Sequence, residues 1–62
     1  MTKIKQARLN KGLKAIELSI LTGLTKTSIS LFESGKNKPS ELSLHKIAKV
    51  LECSVDDLRE DE

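Results

Sequence analysis

Residues 14–35 read KAIELSILTGLTKTSISLFESG, and their hydrophobic pattern is the strongest structural signal in the sequence. Its apolar residues recur at helical spacing in two segments, Ala15–Thr22 and Lys26–Ser34. Gly23 ends the first segment, because glycine readily adopts the left-handed geometry of a helix C-cap, and Thr25 is a good N-cap for the second. The stretch therefore predicts two short helices joined by a tight turn. Their inward faces are predicted to carry Leu18, Ser19, Leu21, Ile29, Phe32 and Glu33.

The residues on either side extend the same helical pattern. Lys3–Lys11 suits a first helix ended by Gly12, Ser40 caps a fourth helix, and Ser54 caps a last turn or two. Residues 36–39 are polar and contain the proline, so they form a loop. No stretch alternates with a period of two, which predicts an all-α domain of five helices. The remaining core positions are expected at Ile4, Ala7, Leu13, Leu44, Ile47, Ala48, Leu51, Val55 and Leu58.

The length and composition set further limits. A chain of 62 residues, 37% of them hydrophobic, buries one small core, which excludes a two-domain enzyme. No apolar run exceeds two residues, so we expect neither a membrane span nor a signal peptide, and a soluble protein of the cytoplasm, at the nucleoid. One cysteine and one histidine suggest no metal site, no cofactor and no catalytic set. We predict one domain over residues 1–59 and an acidic tail over residues 60–62.

Charge is divided unevenly along the chain. Residues 1–49 carry ten lysines or arginines against three acids, whereas residues 50–62 carry one arginine against six acids. The basic part suits a polyanion, because each neutralised phosphate releases condensed counterions. Phe32 is the only aromatic residue, which argues against readers of single strands or RNA that stack bases on several rings. An ordinary solvated surface is the alternative interpretation of the charge.

A pattern of short motifs runs through nearly the whole chain: Gly12-Leu13, Glu17-Leu18, Thr22-Gly23-Leu24-Thr25, Ser28-Ile29-Ser30, Glu33-Ser34-Gly35-Lys36, Pro39-Ser40, Lys46-Ile47-Ala48-Lys49-Val50-Leu51 and Asp57-Leu58. It resembles the lambdoid phage repressor and Cro type of helix-turn-helix domain, the XRE-like transcriptional regulators. The resemblance implies a compact lambda-repressor-like fold with the helix-turn-helix at helices 2 and 3, and with helix 3 in the major groove of DNA. It also implies a repressor of bacterial or phage origin that binds a palindromic operator in double-stranded DNA as a homodimer.

The outer face of helix 3 supplies the candidate base contacts, Lys26, Thr27, Ser30 and Leu31. Lys26 can donate to guanine, and the two hydroxyls can donate or accept. Leu31 can contact only a thymine methyl, and it stands where the family usually has a long polar residue. The alternative is that this row is a plain solvated helix surface.

Residues at the edges of the helix-turn-helix are the candidate phosphate contacts. The family commonly begins helix 2 with Thr-Gln, where this chain has Lys14-Ala15, so Ala15 can offer only its backbone N–H. A surface lysine without a contact is the alternative for Lys14. The full set of candidates is Lys14, Ala15, Ser28, Ser34, Lys36, Asn37 and Lys38.

Arg8 and Glu33 occupy places where the family has a structural Arg–Glu pair between helix 1 and the end of helix 3. A core-facing carboxylate requires a cation nearby, because an unpaired buried charge is costly. The resemblance assigns that role to Arg8, and the pair would fix the angle of helix 3. Two unrelated surface charges are the alternative.

Several apolar residues depart from the family pattern. Ile16 and Ile20 share one outer face of helix 2, and Leu42 stands where a polar residue is usual. Such exposed apolar residues favour a second hypothesis, a protein-interaction module of antirepressor or antitoxin type built on a former DNA-binding fold, although scattered surface apolar residues are common. Glu52 replaces the usual glycine cap, which predicts local strain, and Cys53 is expected to be a small buried hydrophobe.

Overall fold

A computed structural model of the chain describes residues 1–60; of the tail predicted over residues 60–62, all but Glu60 lie outside this part. The described residues form helices and loops without a strand, which confirms the predicted all-α fold. No helix among them is both long and apolar enough to cross a membrane. The five helices are α1 (Lys3–Lys11), α2 (Ala15–Thr22), α3 (Lys26–Ser34), α4 (Glu41–Leu51) and α5 (Val55–Leu58).

The helix ends lie where the capping residues predict. Thr2, Thr25, Ser40 and Ser54 each accept a backbone N–H with their side-chain oxygen. The first three helices end at glycines, but α4 ends at Glu52, whose φ of 57° is the only positive value of a non-glycine residue among residues 1–60. This left-handed conformation crowds the Cβ atom and is strained, as the sequence predicts. Lys11, at the end of α1, forms an ion pair with Glu52.

One core joins all five helices. α2 packs against α3 and α4, and α1 packs against α3, α4 and α5. Its center is formed by Leu18, Ile29, Ile47 and Leu58, whose side chains are almost completely excluded from solvent. Most predicted core positions lie there, and Phe32, predicted to be inward, is half-buried at its edge. The buried apolar residues are Ile4, Leu18, Ile29, Leu44, Ile47, Ala48, Leu51 and Leu58.

The inward face of α2 differs from the prediction. Leu21 was expected inside, but 59% of it is exposed, so that prediction is wrong. Thr22 is buried instead, and its hydroxyl donates to the backbone carbonyl of Leu18 at 2.7 Å. Because this hydrogen bond satisfies the hydroxyl, burying Thr22 leaves no polar group unpaired. The inward face is thereby turned from Leu21 toward Ser19 and Thr22.

The two ends of the described chain close the domain. Arg59 follows α5 and binds the carboxylate of Glu41 at the start of α4. This hydrogen bond, with the attraction of the opposite charge, holds the pKa of Glu41 below its usual value. The carboxylate of Glu60 accepts the backbone N–H of Lys3 at the start of α1. The acidic end of the described chain therefore lies against its first helix.

Candidate nucleic-acid interface

The outer row of α3 is held away from the core by residues on its opposite side. Ile29 is completely buried, whereas Lys26, Thr27 and Ser30 are exposed. Leu31, the fourth predicted base contact, is half-buried. Three polar side chains therefore project from one surface, and part of the Leu31 side chain lies beside them.

The turn between α2 and α3 is fixed by side-chain hydrogen bonds. The Ser19 hydroxyl donates to the Leu24 carbonyl at 2.5 Å, and the Thr22 hydroxyl accepts the Leu24 N–H at 3.3 Å. Thr25 then caps α3 by accepting the backbone N–H of Ser28 at 3.1 Å. These bonds satisfy backbone groups of a segment that makes no helical bonds of its own. They set the angle at which α3 leaves α2.

Arg8 and Glu33 form a bidentate ion pair between α1 and α3. Arg8 Nε donates to Glu33 Oε2 at 2.6 Å, and Nη2 donates to Oε1 at 3.0 Å. Nη1 donates to the Leu13 carbonyl at 2.8 Å, so the guanidinium also anchors the connection to α2. Only 10% of the Arg8 side chain and 9% of the Glu33 side chain are exposed. The pair links α3 to both preceding helices, with planar geometry that favours a single arrangement.

The start of α2 lacks a side-chain N-cap. Lys14 has no acceptor to offer, but its backbone N–H donates to Glu17 Oε1 at 2.7 Å. The lysine side chain is exposed, and Ala15 is half-buried as the first residue of the helix. The predicted phosphate contacts at this end therefore remain an exposed cation and a backbone N–H.

The other predicted phosphate contacts lie at the start of α3 and around its C-terminus. Ser28 is half-buried, and its hydroxyl oxygen accepts a hydrogen bond from the Thr25 hydroxyl at 3.0 Å. The Ser34 hydroxyl donates to the Leu31 carbonyl at 3.1 Å, which also accepts the backbone N–H groups of Lys36 and Asn37. These bonds shape the α3–α4 loop and leave the side chains of Lys36, Asn37 and Lys38 exposed.

A cleft of about 220 Å³ lies between α1, the start of α2 and the outer face of α3. Its lining brings Lys26 of α3 together with Lys5 of α1, a residue that the sequence prediction missed. Lys5 precedes Arg8 by three residues, so both lie on the same side of α1. This spacing was the signal in the sequence that could have placed Lys5 near α3. The cleft is lined by Lys5, Ala15, Lys26, Ser30, Glu33 and Ser34.

The outer face of α2 is mostly apolar, although it includes the exposed Glu17. Ile16 and Ile20 are 46% and 73% exposed, and Leu21 adds a third aliphatic side chain to this surface. Leu42, on α4, is 67% exposed, which agrees with its expected outward position. Cys53 is half-buried against the core, and burial, with the nearby Asp57, raises the pKa of its thiol.

The fold, the bonded turn and the polar outer row of α3 define a helix-turn-helix domain. A family model described as helix-turn-helix matches residues 4–58, and the chain therefore belongs to this family, the Cro/C1 type. Members of this family are DNA-binding domains of transcription regulators and are usually not enzymes. Neither the curated proteins nor the solved structures gave a significant match.

Proposed function

We propose that this protein is a transcriptional repressor that binds a specific sequence of double-stranded DNA with α3 in the major groove. The observation that carries the proposal is the exposed row of Lys26, Thr27 and Ser30 on a helix whose other side is buried at Ile29. A rigid helix that presents polar side chains on one side suits the major groove, which exposes a distinct pattern of donors and acceptors for each base pair.

The phosphate contacts of the proposal flank this row. The side chains of Lys14, at the start of α2, and of Lys36 and Lys38, in the α3–α4 loop, are exposed at opposite ends of the helix-turn-helix. Contacts on both sides of a groove fix the position and orientation of the recognition helix without reading sequence. The Ser28 hydroxyl can donate to a phosphate, the Ser34 hydroxyl could do so by exchanging its bond to the Leu31 carbonyl, and Asn37 and the Ala15 N–H complete the proposed set.

Repression follows from occupancy in this proposal, because a protein bound over a promoter excludes polymerase sterically. A homodimer would place two copies of α3 about 34 Å apart, one turn of DNA, and would bind a palindrome. Selection of binding sites from a random duplex library tests the sequence preference and the palindromic form of the site. Enriched palindromes with two chains bound per site support the proposal, whereas no enriched sequence would refute sequence-specific binding.

Paired variants separate base contacts from phosphate contacts. Thr27→Ala is expected to cost about 1–3 kcal/mol on the selected site and to relax the preference at particular base pairs. Lys36→Ala and Lys38→Ala are expected to weaken binding on all sequences and to reduce the dependence of log K on log salt by about one unit each. Titrations of selected and scrambled duplexes at several salt concentrations measure both effects. Uniform weakening by Thr27→Ala, or an unchanged salt slope for the lysine variants, would contradict these assignments.

The apolar outer face of α2 favours a second candidate function, a protein-interaction module of antirepressor or antitoxin type. Ile16 and Ile20 are exposed on a helix that is apolar on nearly all sides, which is typical of a helix with a partner. Under this hypothesis α2, rather than α3, would be the contact surface.

The double variant Ile16→Glu with Ile20→Glu distinguishes the two functions. For a DNA-binding repressor we expect operator affinity within about twofold of the parent, because both side chains lie outside the proposed DNA-facing row. In a partner module the same charges would enter a desolvated interface and cost several kcal/mol of binding. DNA titration and co-purification from the native host, with Lys46→Ala on α4 as an exposed control, make the comparison. The repressor hypothesis would be refuted if the parent protein binds no DNA and the double variant loses a protein partner that the parent retains.

A further inference from the structure

The cleft between α1 and α3 combines two cations from separate helices. Lys5 of α1 and Lys26 of α3 both line it, together with the hydroxyl-bearing Ser30 and Ser34. The sequence predicts Lys26 as a base contact, whereas its place in one cleft with Lys5 favours a phosphate. Two ammonium groups that line one small cleft attract one compact anion.

The carboxylate in the cleft does not cancel this charge. Glu33 also lines it, but both of its oxygens accept hydrogen bonds from Arg8, at 2.6 and 3.0 Å. The negative charge of Glu33 is therefore balanced within the ion pair. The two lysines remain as the excess charge of the cleft.

We infer that Lys5 and Lys26 together hold one phosphate of the DNA backbone in this cleft. The inference rests on the proposed function and deepens it, because it adds a residue of α1 to the DNA interface. The Ser30 hydroxyl can donate to a phosphate oxygen, whereas the Ser34 hydroxyl already donates to the Leu31 carbonyl. Base reading then falls to Thr27, with Ser30 and Leu31 beside it.

The size and openness of the cleft suit a phosphodiester group. Its volume of about 220 Å³ is too small for a cofactor or a drug-sized ligand, for which pockets of roughly 300–1,000 Å³ are usual. It adjoins the exposed row of α3, so a DNA strand lying along that row would bring a phosphate to the cleft. A free inorganic phosphate has the same chemistry and is the alternative source of the anion.

The salt dependence of DNA binding tests the inference. Each neutralised phosphate contributes about 0.9 to the slope of log K against log salt. The variants are Lys5→Ala, Lys26→Ala, both together, and Lys3→Ala as a control. Lys3 lies on α1 two residues before Lys5, on the other side of the helix, and carries the same charge.

We expect Lys5→Ala and Lys26→Ala to weaken binding equally on selected and scrambled duplexes. Because the two lysines share one phosphate, the double variant should lose about one unit of slope, not two. When salt is raised from 50 to 200 mM, the parent should therefore lose about 3.5 times more affinity than the double variant. Lys3→Ala should keep the slope of the parent, and circular dichroism should show all variants folded, because all three replaced lysines are exposed.

Three results would overturn the inference. A double variant that loses about two units would place the lysines on separate phosphates, and equal DNA affinities of Lys5→Ala and Lys3→Ala at every salt concentration would remove Lys5 from the interface. A separate experiment compares the Tm of the parent and of Lys5→Ala in inorganic phosphate and in chloride at equal ionic strength. The cleft would be assigned to a free anion if phosphate raises the Tm of the parent but not of Lys5→Ala, and if the double variant keeps the salt slope of the parent on DNA. A parent that binds no duplex would refute the proposed function itself, which separates the two failures.

Discussion

Arg8→Ala is expected to lower the free energy of unfolding by about 3–5 kcal/mol, the cost typical of breaking a buried ion pair from one side. The variant removes three hydrogen bonds of the guanidinium, two to Glu33 and one to the Leu13 carbonyl. The carboxylate that remains is 9% exposed and would lose both of its hydrogen bonds to the guanidinium. Its charge would stay largely excluded from water without the bidentate partner that compensates it.

Chemical denaturation followed by circular dichroism measures this effect. A domain of this size is stable by roughly 3–9 kcal/mol, so Arg8→Ala can be substantially unfolded. The control is the double variant Arg8→Met with Glu33→Leu, which replaces both charges by apolar groups and should recover much of the loss. An Arg8→Ala protein that melts within a degree or two of the parent would show that the pair contributes little to stability.

Ile29→Ala is expected to lower the free energy of unfolding by about 2–5 kcal/mol. Ile29 is completely buried and attaches α3 to the core, so the shorter side chain leaves a cavity that the packed helices fill only partly. DNA affinity should fall with it, because the unfolded fraction of the protein cannot bind.

Leu31→Ala is the matched control on the same helix. Leu31 is half-buried on the outer side, so its loss should disturb stability less and DNA binding more directly. Denaturant titration and DNA titration of both variants separate the two sides of α3. Ile29→Val, at about 0.5–1.5 kcal/mol, keeps the comparison usable if Ile29→Ala is unfolded. A loss below about 1 kcal/mol for Ile29→Ala would contradict the assigned anchoring role.

The helix ends were predictable from sequence because they depend on local chemistry. Thr25 and Ser40 cap helices with their own hydroxyls, and Gly23 and Gly35 supply left-handed conformations at the ends. Neither feature needs information from distant residues. The bounds of α2 and α3 therefore agree with the prediction to the residue.

The orientation of α2 could not be predicted in the same way. Its apolar residues lie on several sides of the helix, so their spacing does not select one inward face. The predicted inward position of Leu21 is therefore wrong. The choice depends on Thr22, whose burial requires the Leu18 carbonyl as an acceptor. A polar residue with a local acceptor is difficult to recognise as a core residue from sequence.

The candidate interface combines local and distant information. The row on α3 follows from helical spacing, and the roles of Arg8 and Glu33 came from the family resemblance, since no spacing rule connects residues so far apart. Lys5 joins Lys26 only because the tertiary fold places α1 beside α3. The proposed contacts of all these side chains with DNA stay predictions.

The hydrogen bond between Glu60 and the backbone of Lys3 brings the two ends of the described chain side by side. Both ends also share a cavity with Asn37 and Lys38 of the α3–α4 loop. A fusion partner or affinity tag joined directly before Met1 or directly after Glu60 would therefore emerge on the same side of the domain, next to two proposed phosphate contacts. A circular permutation would avoid this: a short linker joins the two ends, and new ends are opened in a surface loop distant from this side, where the tag is then attached.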